Sequence, residues 1–264
     1  MGASRPGISA TIITRDAEAT VEATLESLAW VDEIVVLDSG SRDATREIAR
    51  SRGARVLVRD WPGYGRQKER AMREASHDWI LWVDADEVVT PELAASLQRA
   101  LDDPGDRAGF RMVRHTRFMD RWIGSRGWWT EWKLRLFRRD RARFEHAPVH
   151  EGLHVDGPVE SVEGVLLHRP WRSVAHRLEK YNRYGSLEAE IDWKRGRRCP
   201  GILPLLWGAG WFLKVYLKRG GFLYGRAGLT DAGLIAAYAF QRGVKLEELR
   251  RERGAPAAPG GTPA

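Results

Sequence analysis

A single cysteine, Cys199, stands among 264 residues, so no internal disulfide can form and a reducing compartment is expected. Long apolar runs are also lacking. The stretch CPGILPLLWGAGWFL (199–213) carries no charge, but it has fifteen residues with two prolines and three glycines; a spanning helix needs about 20 apolar residues. AGLTDAGLIAAYAF (227–240) is interrupted by Asp231. The opening MGASRPG has neither the basic start nor the apolar stretch of a secretory signal, and Pro6 occupies the place where myristoylation wants Ser or Thr. These absences lead to the expectation of a cytoplasmic chain. Patterns of common RNA-binding modules and zinc-ligand spacings are missing as well, and Lys and Arg are spread through the chain.

What is present begins with charge. Lys and Arg number 43 against 36 Asp and Glu, a formal net charge of +7, which points to an anionic partner: nucleic acid, a nucleotide or an acidic membrane surface. Hydrophobic residues make up 43% and charged residues 30%, the balance of a globular protein with a substantial core. Twelve tryptophans are the unusual feature, and seven (Trp122, Trp128, Trp129, Trp132, Trp171, Trp193, Trp207) fall between residues 122 and 207. Indole suits places where an apolar body and a polar edge both find partners, such as a sugar-binding cleft or a membrane interface.

The first hundred residues alternate strand-like and helix-like segments: ISATIIT (8–14), EATVEATLESL (18–28), EIVVLDS (33–39), RDATREIARSRG (42–53), ARVLVRD (54–60), RQKERAMREAS (66–76) and DWILWVDAD (78–86). Repeated βα units predict an α/β fold with a mostly parallel sheet flanked by helices. In such sheets ligands bind beyond the carboxyl ends of the strands. Polar residues collect there: Thr14, Arg15 and Asp16 after the first strand, Asp38 and Ser39 after the second, Asp84 and Asp86 after the fourth. The acids of WILWVDADEVVTPEL (79–93) need an offsetting cation or proton, because like charges at close range repel. Glu87 is assigned to capping the helix that begins near Pro91, with no chemical role. Beyond Pro104 the alternation gives way to short strands, GFRMVRH and KLRLFRR, around the tryptophan-rich MDRWIGSRGWWTEW. A helix is predicted from Ser173 to about Arg195, and GAPAAPGGTPA reads as a disordered tail.

Taken together, ISATIITRDAEATVEATLESL, DEIVVLDSGSRDATREIARSRGARV, RDWPGYGRQKERAMREASHDWILWVDADEVVTPEL and WKLRLFRR followed by PVHEGLHV resemble the family 2 glycosyltransferases. The resemblance covers roughly residues 8–245 and is narrower toward the bacterial branch with lipopolysaccharide core transferases. It implies the GT-A fold, with residues 1–104 as a nucleotide-sugar-binding half and 105–172 as an acceptor-side half. A helical extension follows at 173–250, peripheral to a membrane, then the tail at 251–264. It further implies transfer of a hexosyl or heptosyl group from a nucleoside diphosphate donor, with inversion, to a glycolipid or saccharide hydroxyl.

In that chemistry Mg²⁺ or Mn²⁺ offsets the leaving diphosphate. By resemblance Asp86 is the direct metal ligand, Asp84 meets the ribose or the metal through water, and His168 is a further candidate for the metal shell. Asp38 matches the family aspartate that bonds the nucleobase. The family's first-strand signature Thr-x-Asn-Glu reads Thr14, Arg15, Asp16, Ala17 here, with Glu18 as a substitute for the missing acid. Lys68 falls where relatives carry a basic residue near the base, and Arg135 is a candidate for diphosphate or acceptor phosphates. The expected general base is Glu151, with Glu131 and Asp120 as runners-up; a carboxylate among tryptophans would have a raised pKa, which suits a base near neutral pH. Two other readings use the same features. A nucleotidyltransferase would normally show a glycine-rich loop after the first strand, which TRDAEAT lacks; a non-catalytic basic module would not be expected to keep Asp86.

Overall fold

The structure, a computed structural model, describes residues 5–124, 130–145 and 152–255. The chain forms two compact units, one from residues up to 117 and 130–170, the other from 118–129 and 171 onward.

The first unit is built on one sheet. Its strands are β1 (Ile8–Thr14), β2 (Glu33–Asp38), β3 (Arg55–Val58), β4 (Trp79–Trp82), β5 (Glu87–Val89), β6 (Gly109–Phe118), β8 (Glu131–Arg138) and β11 (Val159–His168), with β7 (Arg121–Ile123) in the other unit. The order is β3-β2-β1-β4-β8-β6-β11-β5. Pairing is parallel among β3, β2, β1 and β4 and between β6 and β11, and antiparallel where β8 meets β4 and β6 and where β11 meets β5. A small β9 (Ala142–Phe144) and β10 (Leu153–Val155) ribbon completes it. The apolar runs of β1, β2 and β4 are buried on both faces, as strands between helical layers require. Ile8, Ile12, Leu81, Leu93, Leu97, Phe110 and Leu136 belong to the main core.

The helices are α1 (Glu18–Glu26), α2 (Thr45–Ser51), α3 (Tyr64–Glu74) and α4 (Pro91–Asp102). α2 starts later than its sequence pattern predicts because the Asp43 carboxylate takes the Thr45 N–H at 3.1 Å, holding residues 42–44 in a turn. Pro91 opens α4, and its cap is Thr90, whose hydroxyl accepts from the Leu93 N–H; Glu87 is not the cap. The strands β5 and β11 have no clear sequence signal. β11 carries a register irregularity between Ser161 and Val165, and Gly164 sits there at φ +93°, with Leu93 backbone atoms 2.5 Å from where a Cβ would be.

The second unit contains α5 (Val174–Lys194), α6 (Leu203–Leu213) and α7 (Gly225–Arg253), with a π-helical turn at Lys214–Lys218 after α6. Ser173 caps α5 by accepting from the His176 N–H. Arg177, fully buried, pairs with Asp231 at 2.6 Å and lies over the rings of Phe118, Trp171 and Tyr181. Arg242 on α7 binds both Asp192 and Glu188 of α5. Asp231 thus serves a buried ion pair that ties α7 to α5. Among the described residues no helix is long and apolar enough to cross a membrane.

Two stability effects follow. Gly164→Ala should lower unfolding free energy by about 3 kcal/mol, since the added methyl meets backbone at a left-handed φ; urea denaturation measures it. At the amino ends of the strands, burial raises the Glu33 pKa, but bonds from Ser9, Ser76 and Arg55 outweigh it and bring the carboxyl down to about 2. A depressed folded-state pKa contributes stability above the normal value of 4.5, which is lost as pH falls toward 2. Glu33→Gln should therefore be less stable than wild type at pH 7, with the difference vanishing across that acid window.

Candidate active site

Register brings the site together. β1 and β2 pair Thr14 with Asp38, and β1 and β4 pair Thr11 with Trp82, so the loops after all three strands emerge at one edge. At the β1–β2 end, Asp38 is fully buried. Its carboxylate accepts from the Thr14 hydroxyl at 2.8 Å, from the N–H groups of Gly40 and Ser41 at 3.0 and 2.9 Å, and from the Ser41 hydroxyl. A carboxylate has about four acceptor sites, so a nucleobase would have to displace one of these donors to bond Asp38. Asp16, at φ 51°, donates its N–H to the Ser41 hydroxyl and accepts from the Arg42 N–H; Asp tolerates this left-handed conformation better than most residues. Glu18 accepts from the Ala44 N–H at 3.1 Å. Thr14, Asp16, Glu18 and Asp38 together tie the first loop to the second.

The Asp84–Glu87 segment is organised differently from its sequence reading. Asp84 and Glu87 are offset by the protein's own cations. Arg135, 2% exposed, donates one nitrogen to Asp84 at 2.8 Å and to Glu87 at 2.6 Å. Lys68 stands 3.7 Å from Asp84, and Arg114 reaches Glu87 at 3.2 Å while forking onto Glu131. Trp82 holds the assembly: Arg135 and Lys68 lie 3.9 and 4.0 Å from its ring centroid, and its indole N–H donates to Asp84 at 3.2 Å. Burial alone would raise the Asp84 pKa, but Arg135, Lys68, His168 and Arg114 pull it far below the usual carboxylate range. Glu87, fully buried, accepts the Asp84 N–H and so braces the turn from within. It is a structural member of the site, which its assignment to helix capping missed. The signal was available as an acid beside a buried strand, with arginines in the partner strands. Lys68 is likewise buried on the inner face of α3.

Asp86 approaches a different side chain. Its carboxylate lies 3.5 Å from His168 Nε2, and His168 Nδ1 is 3.3 Å from the Thr116 hydroxyl. The pairing of β11 with β6 sets His168 beside Thr116, and its pairing with β5 sets His168 beside Glu87. The Arg169 N–H clamps the Asp86 carbonyl at 2.8 Å. Among the described residues no group of three or more His, Cys, Asp or Glu is placed to hold a metal ion. Asp86 and His168 supply two donors. Two neighbouring ligands on one ion at about 2.1 Å would stand roughly 3 Å apart, and Mg²⁺ sites take their remaining ligands from substrate phosphates and water. The pair, with its second nitrogen oriented by Thr116, fits such an ion.

Glu151 lies outside the described residues. Of the other candidate bases, Glu131 is clamped by Arg114 and Lys133. Burial pushes its carboxyl up, but those two cations bring it below the ordinary value, opposite to the shift a base would need. Asp120 is exposed and paired with Arg121.

The family model for Glycosyl transferase family 2 matches residues 9–153, which include every element of this site up to β10. The chain belongs to this family. It is a glycosyltransferase with the GT-A fold, which removes the nucleotidyltransferase and binding-module readings. A lipopolysaccharide core biosynthesis glycosyltransferase, LpsC, of Rhizobium meliloti (strain 1021) is 30% identical over 247 residues, covering 90% of this chain and 91% of that protein. An uncharacterized glycosyltransferase of Rickettsia typhi is 28% identical, covering 92% of this chain and 87% of that one. Among solved structures, glucosyl-3-phosphoglycerate synthase from Mycobacterium tuberculosis matches with a TM-score of 0.37 and 28% identity. The match covers 42% of this chain and 44% of that one.

The ion-pair cluster makes a direct prediction. Arg135→Met leaves the Glu87 and Asp84 carboxylates short of a buried partner and should destabilise the protein by about 3–5 kcal/mol, read as a lower urea midpoint. The double variant Arg135→Met/Glu87→Gln should recover part of that loss.

Proposed function

We propose that this glycosyltransferase is metal-dependent and inverting. On this reading it moves a sugar from a nucleoside diphosphate donor to a hydroxyl of a glycolipid or envelope saccharide, in lipopolysaccharide core biosynthesis. The observation that carries the metal-dependent reading is the approach of Asp86 to His168 at 3.5 Å, at the sheet edge where Asp84 is kept ionised. Near-full-length similarity to a lipopolysaccharide core transferase supports the acceptor class.

Each residue has a task in this reading. Thr14, Asp16 and Asp38 hold the two loops that receive the nucleotide. Asp86 and His168 would hold Mg²⁺ or Mn²⁺, which when bound supplies Lewis-acid stabilisation to the departing diphosphate. Asp84 reaches the ribose, or the ion through water, and its orientation depends on Trp82, Lys68 and Arg135. Lys68, beside Asp84, favours binding of the anionic donor, and Arg135 holds Asp84 and Glu87 in place. Glu151 takes the proton from the acceptor hydroxyl as that oxygen attacks the anomeric carbon opposite the leaving group, so the configuration inverts.

The test is thermal unfolding with a panel of nucleoside diphosphates and nucleotide-sugars, with and without Mn²⁺. A ligand bound only by the native state stabilises it by about 2.7 kcal/mol at a hundred times its dissociation constant. One donor should stabilise the wild type only with metal, and neither Asp86→Ala nor His168→Ala should show the metal-dependent part. A shift of equal size without metal, or one retained in Asp86→Ala, removes the metal site. The anomeric configuration of the product, read by NMR, decides inversion.

A further inference from the structure

Between residues 193 and 230 the sequence holds eight Lys and Arg and no Asp or Glu. Within this stretch α6, with Ile202 before it and the π-helical turn after it, has two unlike faces. Pro204, Gly208 and Val215 are buried, and Gly208 sits so close to α7 that a Cβ would lie 3.1 Å from the Ala236 carbonyl. The opposite face carries Ile202, Leu206, Leu213 and Leu217, spaced by four, seven and four residues so that they line one side. These four are 64%, 54%, 53% and 51% exposed. Leu205, Phe222 and Leu223 widen the apolar surface, and Trp211 is exposed with Lys214 Nζ 4.1 Å from its ring centroid.

A run of exposed leucines of this size is unusual on a surface bathed only by water. Two features say what covers it. Lys214 and Lys218 are interleaved with the leucines on an exposed helical stretch, and no carboxylate in the segment would repel an anionic surface. Indole with lysine beside it is the pairing favoured at the boundary of headgroups and acyl chains. Too short to span a bilayer, the segment has the composition of a helix that lies in the interface plane.

We propose that the surface formed by Ile202–Leu223 docks onto an anionic phospholipid bilayer. Ile202, Leu205, Leu206, Leu213 and Leu217 enter the acyl boundary, and Lys214 and Lys218 meet the lipid phosphates. This deepens the glycolipid-acceptor reading by naming what would bring the enzyme to its acceptor, and its test uses neither donor nor acceptor, so the two can fail separately.

The full chain is floated with vesicles of phosphatidylcholine alone and with about 30% phosphatidylglycerol, because each basic residue near an anionic surface adds about fivefold to binding. Binding is expected to the anionic vesicles only, and to weaken as salt rises from about 0.15 M to about 1 M. Leu206→Gln/Leu213→Gln/Leu217→Gln should lose about tenfold or more in affinity, with an unchanged melting temperature as the control for folding. Lys214→Gln/Lys218→Gln, which leaves the apolar face intact, should lose about 25-fold on anionic vesicles. Absence of wild-type binding to either vesicle, or equal binding by all variants, overturns the proposal. So does a wild-type dimer that the triple leucine variant dissociates while lipid binding is absent, since the face would then belong to a second copy of the chain.

Discussion

The buried bridge from Arg135 to Asp84 and Glu87 is the interaction on which the site depends. A guanidinium 2% exposed can stay charged in the interior only where its charge and donors are answered, and two carboxylates answer them. The converse holds for the acids. Arg135, with Lys68, His168 and Arg114 around it, holds the Asp84 carboxyl below the usual carboxylate range. The arrangement is costly to desolvate and contributes less to stability than to position. What it fixes is the turn from Asp84 to Glu87, on which Asp86 sits.

Trp82 extends that logic. Its ring lies close to two cations and its N–H is aimed at the acid those cations neutralise. A flat, polarisable ring beside two positive groups limits their mutual repulsion while keeping both near Asp84. Few other side chains offer an apolar face and a donating edge at once, so the tryptophan is a positioning element of the site as well as a core residue packed on Phe144.

The alternating signs continue across the sheet, from Asp84 through Arg135, Glu87 and Arg114 to Glu131 and Lys133. β4, β5, β6 and β8 each contribute at least one member or flank the turn that does. The same network explains why Glu131 is a poor proton acceptor: its lone pairs face Arg114 and Lys133. The chemistry at this edge is thus sorted by pairing, with Asp84, Glu87 and Glu131 answered by arginine and lysine and Asp86 set beside His168.

Much of the fold was legible in the sequence because its signals are local. β-branched runs with turn residues between them mark β1, β2, β3 and β4, and parallel order then places their carboxyl ends, with Thr14, Asp38 and Asp84, at one edge. Family membership followed from ordered motifs along the same stretch. The short β5, the irregular β11 and the burial of Lys68 were not legible, because each is decided by partners distant in the chain. The resemblance put Asp86 and His168 forward for one metal shell, but their 3.5 Å approach depends on register. Side chains alternate faces along a strand, so a one-residue change of register would turn His168 away from Asp86 and Thr116. The sequence by itself determined which residues carry charge and which strands they follow. Only the tertiary structure decided which charges neutralise one another, because that depends on sheet register and on distances of a few ångströms between residues far apart in the chain.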